Sequence, residues 1–92
     1  MLRSRFTIKH LEMVHAIDTA QSSTRGAEML SISQPALSSR LRDAETALGT
    51  QLFIRRGRRL SISPAGQLLL RSARTVLEEL ARVENELMHL PE

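Results

Sequence analysis

Twelve of the thirteen basic residues in this 92-residue chain are arginine, Lys9 being the exception. Guanidinium groups pair bidentately with phosphate and enter narrow grooves more readily than ammonium groups. Four of them, Arg55, Arg56, Arg58 and Arg59, surround Gly57. Such a cluster repels itself unless something anionic receives it. Between residues 40 and 74 eight arginines face only Asp43 and Glu45, whereas between 76 and 92 Arg82 stands against five glutamates. A polyanion would meet the first stretch and avoid the second. A second group combines Gln34, Pro35, Ser38, Ser39 and Arg42. Short hydroxyls and an amide beside an arginine suit a helix that lies close against a polar surface, and the major groove of DNA is such a surface. Gln34 can pair bidentately with adenine N6 and N7, while Ser38 and Ser39 let the helix sit deep. Arg42 and Arg40 are placed to reach phosphate, as are the amides and hydroxyls of Ser22, Thr24 and Ser33 at helix starts.

Other chemistries find little footing. Cysteine is absent, so neither a disulfide frame nor a thiolate metal site can form. His10 and His15, five residues apart, point to different helix faces, and with His89 they read as ordinary helix residues. No metal or cofactor is called for. Phe6 and Phe53 are the only aromatic residues, too few for the exposed rings on which single strands stack. No paired carboxylates, nucleophile with a base or phosphate-cradling glycine loop marks an enzyme. The first six residues hold no apolar leader core, and no run approaches a membrane span. A cytoplasmic protein is the expectation.

The candidate groups need a frame, and the sequence predicts one in a single small domain. Residues 1–6 read as an arm. Thr7 caps a first helix over 8–20, with Phe6 and Leu11 as a hydrophobic staple and Ile8, Leu11, Val14 or His15, and Ile17 as its buried stripe. Ser22 caps a second helix over 23–30, with Ala27 and Leu30 facing inward and Met29 at the edge. Ser31-Ile32-Ser33 forms the turn into a third helix over 34–48, which has Pro35 in its first turn. Leu37, Leu41, Ala44 and Leu48 follow the spacing of one buried face, and Gly49 supplies a left-handed cap. Two helices joined by a tight turn, the second with a polar outer face, make a helix-turn-helix. Leu52-Phe53-Ile54 and the alternating Leu60-Ser61-Ile62-Ser63 then flank Gly57 as a hairpin over 53–56 and 59–62. This wing carries the four arginines at its tip, toward a minor groove or flanking phosphates.

Ser63-Pro64 restarts helix, and no breaker follows until Pro91; Gly66 falls in the first turn, where it costs little. Over 64–90, Leu69, Ala73, Val76, Leu80, Val83, Leu87 and Leu90 recur in a heptad seam. Leu70, Leu77, Ala81 and Met88 form a partial second seam beside it. A helix with two apolar stripes can face its own domain with one and a partner with the other, so a homodimer is expected. Arginines near its start and glutamates near its end favour antiparallel pairing, weakly. A two-fold dimer implies a palindromic site with halves a whole number of turns apart. The predicted fold is therefore mostly α: a winged helix-turn-helix over 1–63, three helices plus a two-stranded wing, followed by a linker or dimerisation helix over 64–90.

Taken in order, Ser22-Ser-Thr-Arg-Gly-Ala-Glu-Met-Leu30, Ser33-Gln-Pro-Ala-Leu-Ser38, Leu48-Gly-Thr-Gln-Leu-Phe53, Arg55, Gly57-Arg-Arg59 and Ser63-Pro-Ala-Gly66 resemble the N-terminal domain of LysR-type bacterial transcriptional regulators. The likeness runs from about residue 8 to residue 90 and includes the first helix. It implies a linker helix that dimerises antiparallel, and a C-terminal effector domain of periplasmic-binding-protein type that is absent here. A small-molecule effector would act only through that domain, and the full-length protein could assemble as a tetramer. The resemblance also places Gln34, Pro35 and Ser38 at groove-facing positions and Arg55 as the wing arginine. The chain departs from the family at Ser39, where arginine is common, so one contact and the half-site preference can differ. Gln21 replaces a usual glycine, which suggests a different turn, and Ser23 replaces a usual phenylalanine, which suggests a smaller core contact. Gly26 replaces a common alanine and weakens the second helix by about 1 kcal/mol or less. The alternative is a protein-interaction module, in which the winged unit docks another protein without direct DNA readout. The arginine tip and the charge gradient argue against it. A membrane-surface role for the long helix fails because its polar face ends acidic, the wrong sign for anionic lipid.

Overall fold

In the computed structural model, which describes residues 7–57 and 59–91, α1 (Ile8–Ala20), α2 (Ser23–Met29) and α3 (Gln34–Leu48) precede a two-stranded wing. Strands β1 (Phe53–Arg56) and β2 (Arg59–Ile62) pair antiparallel, and α4 (Pro64–Met88) closes the chain. This is the expected mostly helical winged architecture. At about 1.5 Å per residue α4 extends for roughly 37 Å, much of the 54 Å long axis of the molecule.

Helix α1 is the central element because α2, α3, α4 and β2 all pack against it. It therefore buries a broad arc, Leu11, Met13, Val14, Ala16 and Ile17. The single stripe read from the sequence is corrected at both margins. Ile8 is 40% exposed, lying beyond the neighbours' reach, whereas Met13 and Ala16 are enclosed. His15 is half-buried beside a fully enclosed Val14. Phe6, the other half of the expected staple, lies outside the described residues. At the helix start the Thr7 amide donates to His10 Nδ1 at 3.2 Å, a capping role for His10 that its side-chain type did not signal.

Gln21 ends α1 in the left-handed region at φ 55°, its amide donating to the Ile17 carbonyl at 2.6 Å. The turn is thus the one a glycine would make, adopted by glutamine at a strain of about 1 kcal/mol. Helix α2 stops at Met29, one residue short of the expected end, because Leu30 takes a capping conformation and Ser31 turns left-handed at φ 57°. The core gathers Met13, Val14, Ile17, Leu37 and Leu52, all fully buried. Each such side chain stabilises the fold by about 1.5–3 kcal/mol.

Helix α4 contributes Leu69, Leu70 and Ala73 to that same core, with Leu77 packed against its edge. The heptad seam is therefore divided. Its first two members, Leu69 and Ala73, face the domain's own interior, while Val76, Leu80, Val83, Leu87 and Leu90 are 38–64% exposed. Equal spacing along a helix does not fix which surface each turn meets: the domain covers the face of Leu70, Ala73 and Leu77, and Val76, one residue before half-buried Leu77, already points off that face. The helix also ends at Met88 rather than 90, since the residue before Pro91 is biased away from helical backbone. Among the described residues no helix is long and apolar enough to cross a membrane.

Candidate nucleic-acid interface

Ser33 opens α3 in extended conformation, its hydroxyl oxygen accepting the Ala36 amide at 3.2 Å. Burial of Leu37 and Ala44, with Leu41 and Leu48 half-covered, fixes the rotation of the helix. Pro35, Ser39 and Arg42 are left exposed and Ser38 half-exposed. At about 100° per residue, Gln34, Ser38, Arg42, Pro35 and Ser39 share one outward arc. Arg40 is half-buried and lies roughly 160° around the helix from Arg42, so it does not join that arc. On α2, Thr24 is exposed beside Ser22, whose Oγ accepts the Arg25 amide at 3.3 Å. The Ser22 and Ser33 hydroxyls cap helices with their oxygen lone pairs and keep a hydrogen to donate.

Two polar clasps hold the wing. The first runs to α3: Glu45 Oε2 accepts the amides of Leu52 at 2.7 Å and Phe53 at 3.3 Å. The second runs to α4. Ser63, 5% exposed, donates its hydroxyl to the Gln51 carbonyl at 2.6 Å and accepts the Gly66 amide at 2.9 Å. Its own amide donates to the Leu52 carbonyl at 2.9 Å. Gly66 must be glycine for this approach, because a Cβ there would lie 2.2 Å from the Leu52 carbonyl oxygen. Neither Glu45 nor the role of Gly66 stood out in the sequence; both depend on where the chain returns after the turn at Gly49.

Within the wing, Phe53 pairs with Ile62, Ile54 with Ser61, Arg55 with Leu60 and Arg56 with Arg59. Alternation along a strand puts Arg55 on the face of buried Phe53 and Arg56 and Arg59 on the other. Arg56 and Arg59 are thus opposed like charges at the tip, where direct cross-strand pairing of one sign is unfavourable. Gly57 turns the tip at φ 63°. Arg58 lies outside the described residues.

Between α3 and the wing lies an open cleft of about 280 Å³, whose walls include Ser38, Arg42, Arg55, Ser23 and Gln51. Helix and wing therefore present guanidinium groups into one concavity. Ser23 was not among the sequence-derived candidates, and its place on the cleft wall follows from the packing of α2 on α3. Gln34 occupies the corner of the two helices, with its Nε2 within 2.7 Å of Ser38 Oγ and 3.4 Å of Ser23 Oγ.

Beyond Ala73 the outer part of α4 presents the exposed row of Val76, Leu80, Val83 and Leu87. On its polar side Arg82 is paired within the helix with both Glu79 and Glu86. A longer-range contact at 3.9 Å links Arg74 to Asp18 of α1.

Residues 8–67 match the family model described as bacterial regulatory helix-turn-helix protein, lysR family. The chain is 39% identical over 89 residues to the HTH-type transcriptional regulator GbpR of Azospirillum brasilense, a match covering 97% of this chain and 26% of that protein. Among solved structures it is similar to a CbnR DNA-binding domain in complex with DNA, with a TM-score of 0.81 and 27% identity over 88% of this chain and 93% of that one. It is also similar to a BenM DNA-binding domain on benA site 1 DNA, with a TM-score of 0.84 and 29% identity over 90% and 93% of the two chains. The chain spans about a quarter of the length of the curated relatives it matches.

Proposed function

Because the chain belongs to the lysR family of bacterial regulatory helix-turn-helix proteins and carries that family's DNA-binding domain, we propose how it reads double-stranded DNA. Helix α3 enters the major groove with Gln34, Pro35, Ser38, Ser39 and Arg42 toward the base edges. The wing lies along the neighbouring minor groove, with Arg55, Arg56, Arg58 and Arg59 on its walls or on flanking phosphates. Ser22, Thr24 and Ser33 donate to phosphate oxygens at the helix starts. Arg40 takes part only by reaching around the flank of α3. The observation that carries this reading is the shared cleft in which Ser38 and Arg42 of α3 meet Arg55 of the wing.

The exposed row Val76, Leu80, Val83 and Leu87 supports pairing with a second copy through the outer turns of α4. Leu69 and Ala73, enclosed in the domain, support that pairing indirectly by holding the helix in place. Two copies related by a two-fold axis would read a palindromic operator in the bacterial cytoplasm, with any effector response residing in a further domain of a longer protein. Selection of binding sites from random duplexes tests the whole reading. The expected result is an inverted repeat with half-site centres about 10–10.5 base pairs apart or a multiple of that. Gln34→Ala should relax preference at one base pair per half-site by about 1–3 kcal/mol. Failure to enrich any motif, or an unchanged consensus for Gln34→Ala, would refute it.

A further inference from the structure

Gln34 begins α3 half-buried, while Pro35, Ser39 and Arg42 around it are exposed. Its amide lies in the corner between α2 and α3. There Nε2 donates to Ser38 Oγ at 2.7 Å, one helical turn on, and to Ser23 Oγ at 3.4 Å, on the first residue of α2. A primary amide has two hydrogens, and the two serine oxygens offer an acceptor to each, the Ser23 contact being the longer. Oε1 is the group left for a base edge.

Bidentate recognition of adenine requires the amide to accept from N6 and donate to N7. With both hydrogens held by serine hydroxyls, only the accepting half can be made. An acceptor alone recognises an exocyclic amino group, which adenine N6 and cytosine N4 both offer in the major groove. We propose that Ser23, acting with Ser38, is a specificity-positioning residue that fixes the Gln34 amide to read A or C, rather than A alone, at one base pair. The proposal rests on α3 lying in the major groove. A hydrocarbon side chain at position 23 would offer no acceptor and would release one of the two hydrogens.

Binding-site selection on the wild type, Ser23→Ala, Ser23→Ala/Ser38→Ala and Gln34→Ala, with thermal denaturation alongside, tests this. In the wild type, A·T and C·G at the affected pair should be bound within about threefold of each other. Ser23→Ala should move the ratio toward A·T by about threefold, and the double variant by about tenfold, as the freed amide completes the bidentate pair. Gln34→Ala should abolish the preference at that pair. A lower Tm for Ser23→Ala with an unmoved A-to-C ratio would mean that Ser23 is structural only; that overturns the proposal and leaves the groove reading standing. A wild-type preference for bases offering acceptors there, G or T, overturns it as well. An unchanged consensus for Gln34→Ala overturns both.

Discussion

Replacing Gly66 by alanine sets helix propensity against packing with opposite signs. From propensity alone the substitution should stabilise α4 by up to about 1 kcal/mol. The structure places the added Cβ 2.2 Å from the Leu52 carbonyl oxygen, 3.1 Å from its carbonyl carbon and 2.7 Å from Ile62 Cγ1. A carbon–oxygen contact of ordinary length is about 3.3 Å, so the backbones must separate by about 1 Å. Leu52 cannot yield freely, because Glu45 holds its amide and the Ser63 amide holds its carbonyl. The first turn of α4 would have to retreat, weakening the Ser63 bonds to Gln51 and Gly66. Overpacking of this kind costs about 1–3 kcal/mol, and each weakened bond contributes about 1 kcal/mol more, so the net loss after the propensity gain is about 2–4 kcal/mol. For a domain of this size that lowers Tm by roughly 8–30 °C. Urea denaturation followed by far-ultraviolet circular dichroism, at one fixed protein concentration, measures it. Gly26→Ala is the milder comparison, since the three atoms nearest its Cβ all belong to Ile17, Cγ1 at 3.3 Å, Cα at 3.4 Å and N at 3.5 Å. A shift of a few tenths of an ångström against buried Ile17 offsets the propensity gain, so that variant should stay within about 1 kcal/mol of the wild type. A Gly66→Ala protein as stable as the wild type would refute the reasoning.

Gln21→Gly should stabilise the protein by about 0.5–1 kcal/mol, because glycine enters the left-handed cap without the Cβ penalty that Gln21 carries. The same denaturation experiment measures it, and a loss of stability would contradict the strain assigned to this cap. Replacing Arg56 and Arg59 together by glutamine removes two directly opposed charges and should stabilise the free protein by a few tenths of a kcal/mol, about the lower range for cross-strand pairs. The same variant should bind all DNA sequences more weakly. Its logarithmic salt dependence should flatten by about 0.9 for each phosphate contact removed; an unchanged slope would contradict the wing's contact with DNA.

The parts of the fold readable from sequence are those set by neighbouring residues. Ser33 and Pro35 mark the start of α3, and Gly57 between two short apolar runs marks the strands, because caps and tight turns draw on residues a few positions apart. The 3.6-residue period likewise identifies the inner face of α3, and with it the outward arc of Gln34, Ser38 and Arg42. What escaped depends on the return of distant chain. Glu45 shows only as a charge on a helix until the turn after Gly49 brings the amides of Leu52 and Phe53 to it. Ser23 joins the Gln34 amide from a different helix, which no spacing rule anticipates. The heptad of α4 is visible as a period, yet its division between Ala73 and Val76 is set by which face of the helix the three-helix body covers, since Leu77 after the break still packs on the core.

That division has a mechanical consequence. The first turns of α4 are locked to the wing by Ser63 and Gly66 and to the core by Leu69, Leu70 and Ala73. The wing is in turn locked to α3 by Glu45. Recognition helix, wing and the base of α4 therefore form one block, and the separation between Arg42 and Arg55 across the cleft is set by packing before DNA arrives. The outer turns of α4 carry the exposed apolar row out from this block. If a second copy pairs there, a change in that pairing would alter the distance between two intact reading heads rather than the shape of either one. The base preferences within a half-site and the spacing between half-sites would then be separately adjustable, the first by residues such as Ser23 and Ser38, the second by the outer row of α4.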